Sequence, residues 1–194
     1  MNEATLVLYL TNFAMIGMLP FIFFKKGDFN LMWCQTSAPY VLSTAFLIAS
    51  YAGVLPPVTG YHNSWNDIAA VIAVPFSVSS ISLIFVTMGT HRVPLALWHQ
   101  QQDGPHHIVT YGPYRRIRHP FYASFLLALF GAFVFAPQLG TLATLIYAFI
   151  ILSYTAQREE RRLRNSAFGS DYEQYMQQAG RFWPKLRPKV VNQP

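Results

Sequence analysis

The chain has 194 residues, of which 53% are hydrophobic and 11% charged, with a formal net charge of +6. Soluble domains carry roughly 25% charged residues, so the composition points to a lipid bilayer as solvent and away from nucleic-acid binding, because Lys and Arg in such a chain mark cytoplasmic loops. One cysteine, Cys34, excludes an intramolecular disulfide and a cysteine-rich metal site.

The first apolar segment runs from Thr5 to Phe24 and stops at Lys25, Lys26, Gly27 and Asp28. Its length matches a hydrocarbon core of ~30 Å, and the preceding MNEAT lacks the basic flank of a cleaved signal, so a first span is expected. A second span is predicted from Ala38 to Leu55, ended by Pro56 and Pro57. A third is predicted from Ile68 to Met88, kinked at Pro75. Between them VTGYHNSWND carries polar-tipped aromatic residues and no Lys or Arg, which suits the lipid-water boundary.

From Phe121 to Tyr154 there are 34 uncharged residues, too long as one helix for a single crossing. APQLG at 136–140 predicts a turn, giving two short spans back to back or a re-entrant hairpin. Either version returns the chain to the side it left. With alternating segments, all 14 Lys and Arg fall on one face, which the positive-inside rule makes the cytoplasm. The N-terminus is then outside. The predicted fold class is an all-α integral membrane protein with about five transmembrane helices. Residues 1–88 form three N-terminal spans, and residues 89–194 hold a cytoplasmic loop, a membrane hairpin and cytoplasmic C-terminal helices.

Chemistry is expected in the second half, in two polar stretches that flank the hairpin. The first, residues 91–120, ends in YGPYRRIRHP, with Pro120 suited to the first position of a helix and His119 pushed toward an extended backbone by it. The second, YTAQREERRLRNSAFGSDYEQYMQQ, offers Glu160 and Arg164 as a helical pair, Gly169 as a helix stop and Ser170 with Glu173 as a capping box. Phe168, Tyr172 and Tyr175 share one face of the helix that follows. Taken singly, Arg115, Arg116 and Arg118 read as membrane anchors, and Glu159 with Glu160 as a solvated helix face. His106, His107 and His119 lack a metal-ligand spacing, so no metal is expected. Because the hairpin's ends meet at one face, the two stretches must lie together and place basic groups, histidines, carboxylates and tyrosines over the lipid core.

HHIVTYGPYRRIRHPFY, an apolar hairpin, EERRL, FGSDYEQY and a proline in RFWPKL, in that order over residues 106–184, resemble the isoprenylcysteine carboxyl methyltransferase family and its phospholipid methyltransferase relatives. The resemblance implies a membrane enzyme using S-adenosyl-L-methionine, with the C-terminal helices completing the cofactor pocket. It implies His106, His107, Ile108, Val109, Tyr114, His119, Pro120, Phe121, Tyr122 and Glu159 as cofactor-binding residues, and Arg118, Glu159 and Glu160 as catalytic. The implied acceptor is lipophilic and enters from the bilayer, with the carboxylate of a prenylated cysteine foremost. The family's substrate-binding arginine, a few residues before the paired glutamates, has no clear equivalent, since Thr155 falls near it and Arg158 is displaced.

A carboxylate acceptor is ionised at neutral pH and needs no general base, whereas an amine would need a histidine or glutamate as proton acceptor. Two other readings compete. An NADPH-dependent sterol-type reductase shares the RHPFY-like segment, and a non-enzymatic scaffold would use the basic face to bind anionic membrane lipids.

Overall fold

The structure, a computed structural model, describes residues 1–23, 31–55, 63–90 and 108–185. Among the described residues six α-helices follow in order: α1 Glu3–Phe23, α2 Leu31–Tyr51, α3 Asn63–Thr90, α4 Pro120–Phe135, α5 Leu139–Arg164 and α6 Gly169–Gln178, with a short 3-10 turn at Gly112–Arg115 before α4. No strand occurs among the described residues; the nearest thing is one isolated parallel bridge between Ile117 and Gly180. The all-helical expectation therefore holds.

Element boundaries differ in instructive ways. α2 starts at Leu31 and carries Pro39 inside it, and it ends at Tyr51, before Pro56 and Pro57 are reached. α3 is one helix through Pro75. α4 begins at Pro120, whose missing N–H has no helical acceptor to lose at that position. The APQLG turn falls between α4 and α5, where the Gln138 amide donates to Thr141 Oγ1 at 3.2 Å and Gln138 Nε2 reaches the Leu55 carbonyl at 3.1 Å. The Ser170–Glu173 capping box is not formed: the cap lies two residues earlier, at Phe168, which makes no side-chain bond, and α6 starts at Gly169. Gly169 therefore opens a helix that it was expected to separate from the one before.

Tyr9 of α1 stacks on Phe135 of α4 with ring centres 5.8 Å apart, and Tyr40 of α2 meets Phe13 and Phe125 edge-on. Polar side chains bridge helices inside this apolar packing. Tyr9 donates to the Ala73 carbonyl at 2.6 Å, Asn12 Nδ2 to Ser77 Oγ at 3.0 Å, and the hydroxyls of Ser43 and Thr144 share a bond at 2.7 Å. α3 packs most extensively on α4, and Gly131 permits it, because a Cβ there would collide with the Tyr9 hydroxyl and with Phe76.

The outward faces are apolar instead: Val71, Val78, Phe85, Ile146 and Ile150 are all exposed. Polar contacts inside and aliphatic side chains outside suit a lipid surround. Of the five crossings expected, length and hydropathy alone sustain two among the described residues, Asp67–Thr90 and Leu139–Arg164, with Glu3–Leu19 and Pro120–Phe135 as shorter apolar segments.

Candidate active site

The chain segments before α4 and after α6 meet as a two-strand ribbon. Arg118 N donates to Gly180 O at 2.8 Å, Gly180 N to Arg116 O at 3.0 Å, and His119 N to Arg181 O at 3.0 Å. Close approach is needed here, since a Cβ on Gly180 would collide with the Trp183 carbonyl oxygen. Gly180→Ala is expected to cost about 1–3 kcal/mol through overpacking. Hydrogen exchange at the Arg118, His119 and Gly180 amides should accelerate in that variant, and unchanged protection would count against the ribbon.

The ribbon delivers three nitrogen-bearing side chains to the last turns of α5, where the paired glutamates meet them. Glu160, with 2% of its side chain exposed, accepts from Arg118 Nε (3.1 Å) and Nη2 (2.9 Å), from His119 Nε2 (3.2 Å), and from Arg181 Nε (3.1 Å) and Nη2 (2.6 Å). Burying a carboxylate is costly unless it is paired and fully hydrogen-bonded, and two guanidinium groups meet that condition. The Glu160–Arg164 pair expected along the helix is thereby replaced: Glu160 turns inward, while Arg164 stays exposed. Arg118 also donates through Nη1 to the carbonyls of Met176 and Ala179, tying the end of α6 to the cluster.

Glu159 has a different environment. It accepts from the Tyr122 hydroxyl at 2.7 Å and lies 3.3 Å from His119 Nδ1, its side chain is 16% exposed, and no arginine pairs with it among the described residues. His119 thus sits astride the two glutamates, one ring nitrogen toward each. Neutral imidazole has one N–H to offer, whereas carboxylates only accept, so the protonated ring satisfies both sides. Burial lowers the His119 pKa, but the hydrogen bonds and charges of Glu159 and Glu160 outweigh it and leave the pKa raised.

A folded-state pKa above the unfolded value of about 6.5 makes the native state bind more protons, so this stabilisation is complete below that pH and is lost as pH rises through the folded value. Stability is expected to fall on that alkaline side, and His119→Asn should flatten the fall in denaturation series across pH. An unaltered profile would contradict the assignment.

Around this cluster the aromatic residues form a shelf. The His119 and Tyr122 rings are nearly parallel, 5.3 Å apart, and Phe182 meets them edge-on at 6.2 and 6.5 Å. On α6, Tyr172 and Tyr175 are buried, with Ile108 packed against them, and Tyr175 donates to the Tyr114 carbonyl at 2.6 Å. Burial pushes the phenols of Tyr114, Tyr172 and Tyr175 up, so all three are neutral near pH 7.

Of the residues named from sequence, Arg118, His119, Tyr122, Glu159 and Glu160 come together. Tyr114 and Ile108 stand beside them through α6, and Pro120 starts the helix that carries Tyr122. Phe121 faces the helix core, its ring 6.5 Å from Phe125. Val109 is partly buried. His106 and His107 lie outside the described residues. Arg181 and Phe182 were missed; the only sequence signal was a glycine-arginine pair between an amphipathic helix and an aromatic-proline segment.

On the other side of Ile117 and Phe182 lies an apolar groove of about 550 Å³, walled by α3, α4, α5 and residues 182–184, with Leu126, Ile146, Phe149 and Trp183 among its lining. That volume lies within the ~300–1,000 Å³ of small-molecule pockets. Phe182, edge-on to His119 and Tyr122, is thus common to the aromatic shelf and the apolar groove.

Residues 90–165 match the isoprenylcysteine carboxyl methyltransferase (ICMT) family. A curated relative, the cobalt-zinc-cadmium resistance protein CzcN of Cupriavidus metallidurans, is 34% identical over 79 residues, which are 41% of this chain and 36% of the relative. The chain thus spans little more than a third of that protein's length. No solved structure matches the chain.

Proposed function

We propose, from the premise that residues 90–165 are an ICMT-family domain, that this chain is a multi-pass membrane methyltransferase using S-adenosyl-L-methionine to modify a lipophilic acceptor. The carboxylate of a prenylated cysteine, or of a similar lipid, is the acceptor that this reading favours. The observation that carries it is the divided fate of two neighbouring glutamates: Glu160 is consumed by Arg118, Arg181 and His119, while Glu159, met by His119 and Tyr122 alone among the described residues, keeps a partly exposed side chain beside stacked aromatic rings.

The donor set suits the cofactor. Glu159 is the acidic partner for a cationic group, and His119, Tyr122 and Phe182 form an aromatic shelf. When bound, S-adenosyl-L-methionine supplies a methyl group that passes to a nucleophilic oxygen or nitrogen and leaves the S–CH3 electron pair on sulfur.

The chain's own residues supply placement. Glu160 fixes Arg118 and the ribbon, the ribbon fixes His119, and Tyr122 and His119 hold the Glu159 carboxylate in one orientation. Attraction and loss of charge weigh more in a poorly hydrated site, and the groove keeps water from one side of this one. Proximity and desolvation then account for rate enhancement without a protein nucleophile. The acceptor reaches the site from the bilayer along the groove. The Lys and Arg distribution supports a cytoplasmic site and an external N-terminus, with five crossings. Exposed Tyr154 and Trp183 then lie at the lipid-water boundary.

Incubation of the purified chain in liposomes with radiolabelled S-adenosyl-L-methionine and a panel of a farnesylcysteine analogue, a geranylgeranyl analogue and phosphatidylethanolamine is expected to label a prenyl carboxylate. NADPH is expected not to displace labelled cofactor. Displacement by NADPH with no label transferred would favour the reductase reading instead.

A further inference from the structure

The end of α5 carries Arg158, Arg161, Arg162 and Arg164 within seven residues, and all four are exposed. None has an ion-pair partner among the described residues, since Glu159 and Glu160 are turned to His119, Arg118 and Arg181. Arg158 and Arg161 have no carboxylate three or four residues away on either side, and the neighbours at those spacings include other arginines, which repel them. The helix dipole favours cations in the last turn, where Arg161, Arg162 and Arg164 stand, but it fades before Arg158.

Two of the four continue the face that α5 turns to lipid. Tyr147, Ile150, Tyr154, Arg158 and Arg161 recur at spacings of three and four, so they form one stripe, and its first three members are exposed aromatic or aliphatic side chains. The stripe is separate from the apolar groove: none of these five residues lines it, whereas Leu145, Ile146 and Phe149 of the same helix do. Arg158 bends back toward the membrane, its guanidinium carbon 5.8 Å from the centre of the Tyr154 ring, a cation–π distance. With Tyr154 at the lipid-water boundary, Arg158 and Arg161 follow about 6 and 10 Å along the axis at ~1.5 Å per residue. The headgroup region adds roughly 5–8 Å to each side of the hydrocarbon core. Side chains as long as these therefore end among lipid phosphates, where a solvated helix face would end in open water.

We propose that Arg158 and Arg161 form a binding site for an anionic phospholipid, their guanidinium groups holding its phosphate while an acyl chain lies along Tyr154, Ile150 and Tyr147. The lipid is a bound companion of α5 and not the methyl acceptor. Guanidinium pairs with phosphate oxygens through two parallel N–H groups, and the phosphate relieves the repulsion between neighbouring arginines. A zwitterionic headgroup brings its own cation, which cancels part of the attraction. The proposal rests on α5 crossing the membrane and is independent of the methyl-transfer chemistry.

The test uses the full chain in phosphatidylcholine liposomes with a trace of spin-labelled phosphatidylglycerol or spin-labelled phosphatidylcholine. Electron paramagnetic resonance then measures how much of each lipid is slowed at the protein surface. The wild type is expected to favour phosphatidylglycerol roughly tenfold at one site, the scale of two basic residues at a charged membrane surface. That preference should shrink as salt is raised. Arg158→Gln combined with Arg161→Gln should bring the two lipids within about twofold of each other, with helix content by circular dichroism unchanged. Arg158→Lys with Arg161→Lys keeps both charges and should retain part of the preference. Arg115→Gln with Arg116→Gln removes the same charge from exposed residues elsewhere on the basic face, and should leave the preference intact.

A preference that survives the double glutamine variant of α5 would overturn the proposal. So would an equal fall in the Arg115 and Arg116 variant, because a diffuse basic surface would then suffice, and so would equal slowing of the two lipids by the wild type. Absence of a slowed fraction for either lipid would refute the membrane reading of α5 itself, and the site with it.

Discussion

Glu160→Ala is expected to lower the unfolding free energy by about 3–5 kcal/mol, the usual cost of removing one partner from a buried ion pair. The mutation deletes the acceptor shared by Arg118, His119 and Arg181, and Arg118 is too buried for water to replace it. Glu160→Gln keeps an acceptor oxygen but loses the charge, so an intermediate cost is expected. Reversible denaturation in detergent micelles, followed by far-ultraviolet circular dichroism, would measure both. A change below about 1 kcal/mol for alanine would mean that the two arginines find other partners, and the organising role given to Glu160 would fail.

The neighbouring residue should behave in the opposite way. Glu159→Gln is expected to cost less than Glu160→Ala, about 1–2 kcal/mol, because it loses the charge facing His119 but keeps an oxygen for Tyr122 and leaves no arginine unpaired. It should weaken S-adenosylhomocysteine binding by roughly tenfold to a hundredfold in isothermal titration, because a charge-assisted contact is lost. Equal effects of Glu159 and Glu160 substitutions on both stability and affinity would refute the division of labour between them. The pair occupies adjacent positions on one helix, so a general disturbance of α5 would not separate the two readouts.

Much of the fold was legible because its cause is local. Apolar runs of helical length, Pro120 at a helix start and APQLG at a turn each speak through a few consecutive residues, and the helices follow them. The meeting of the two polar stretches was also legible, since a hairpin must return its ends to one face. What stayed hidden depends on packing over distance. Glu160 and Arg164 are spaced as a surface pair, and nothing near them says that Arg118 and Arg181 will draw Glu160 inward. Phe121 and Tyr122 belong to the same short motif and the same core cluster, yet it is Tyr122 that reaches Glu159, through its hydroxyl. Arg181 could not be found from motif spacing, because its role is set by a backbone bridge to residues far earlier in the chain. The capping box failed for a related reason: α6 is placed by Tyr175 and Arg118, so its first turn does not need that local signal.

That bridge also sets an order of assembly. α6 ends at Gln178, whereas the ribbon partner Gly180 and the second guanidinium at Arg181 come just after it. Among the described residues every helix precedes Gly180 and Arg181 in the chain, so Arg118 is the one guanidinium on Glu160 until that last segment is made. A chain ending at Gln178 would keep the six helices of the described residues and lose both the bridge to Gly180 and the second guanidinium on Glu160.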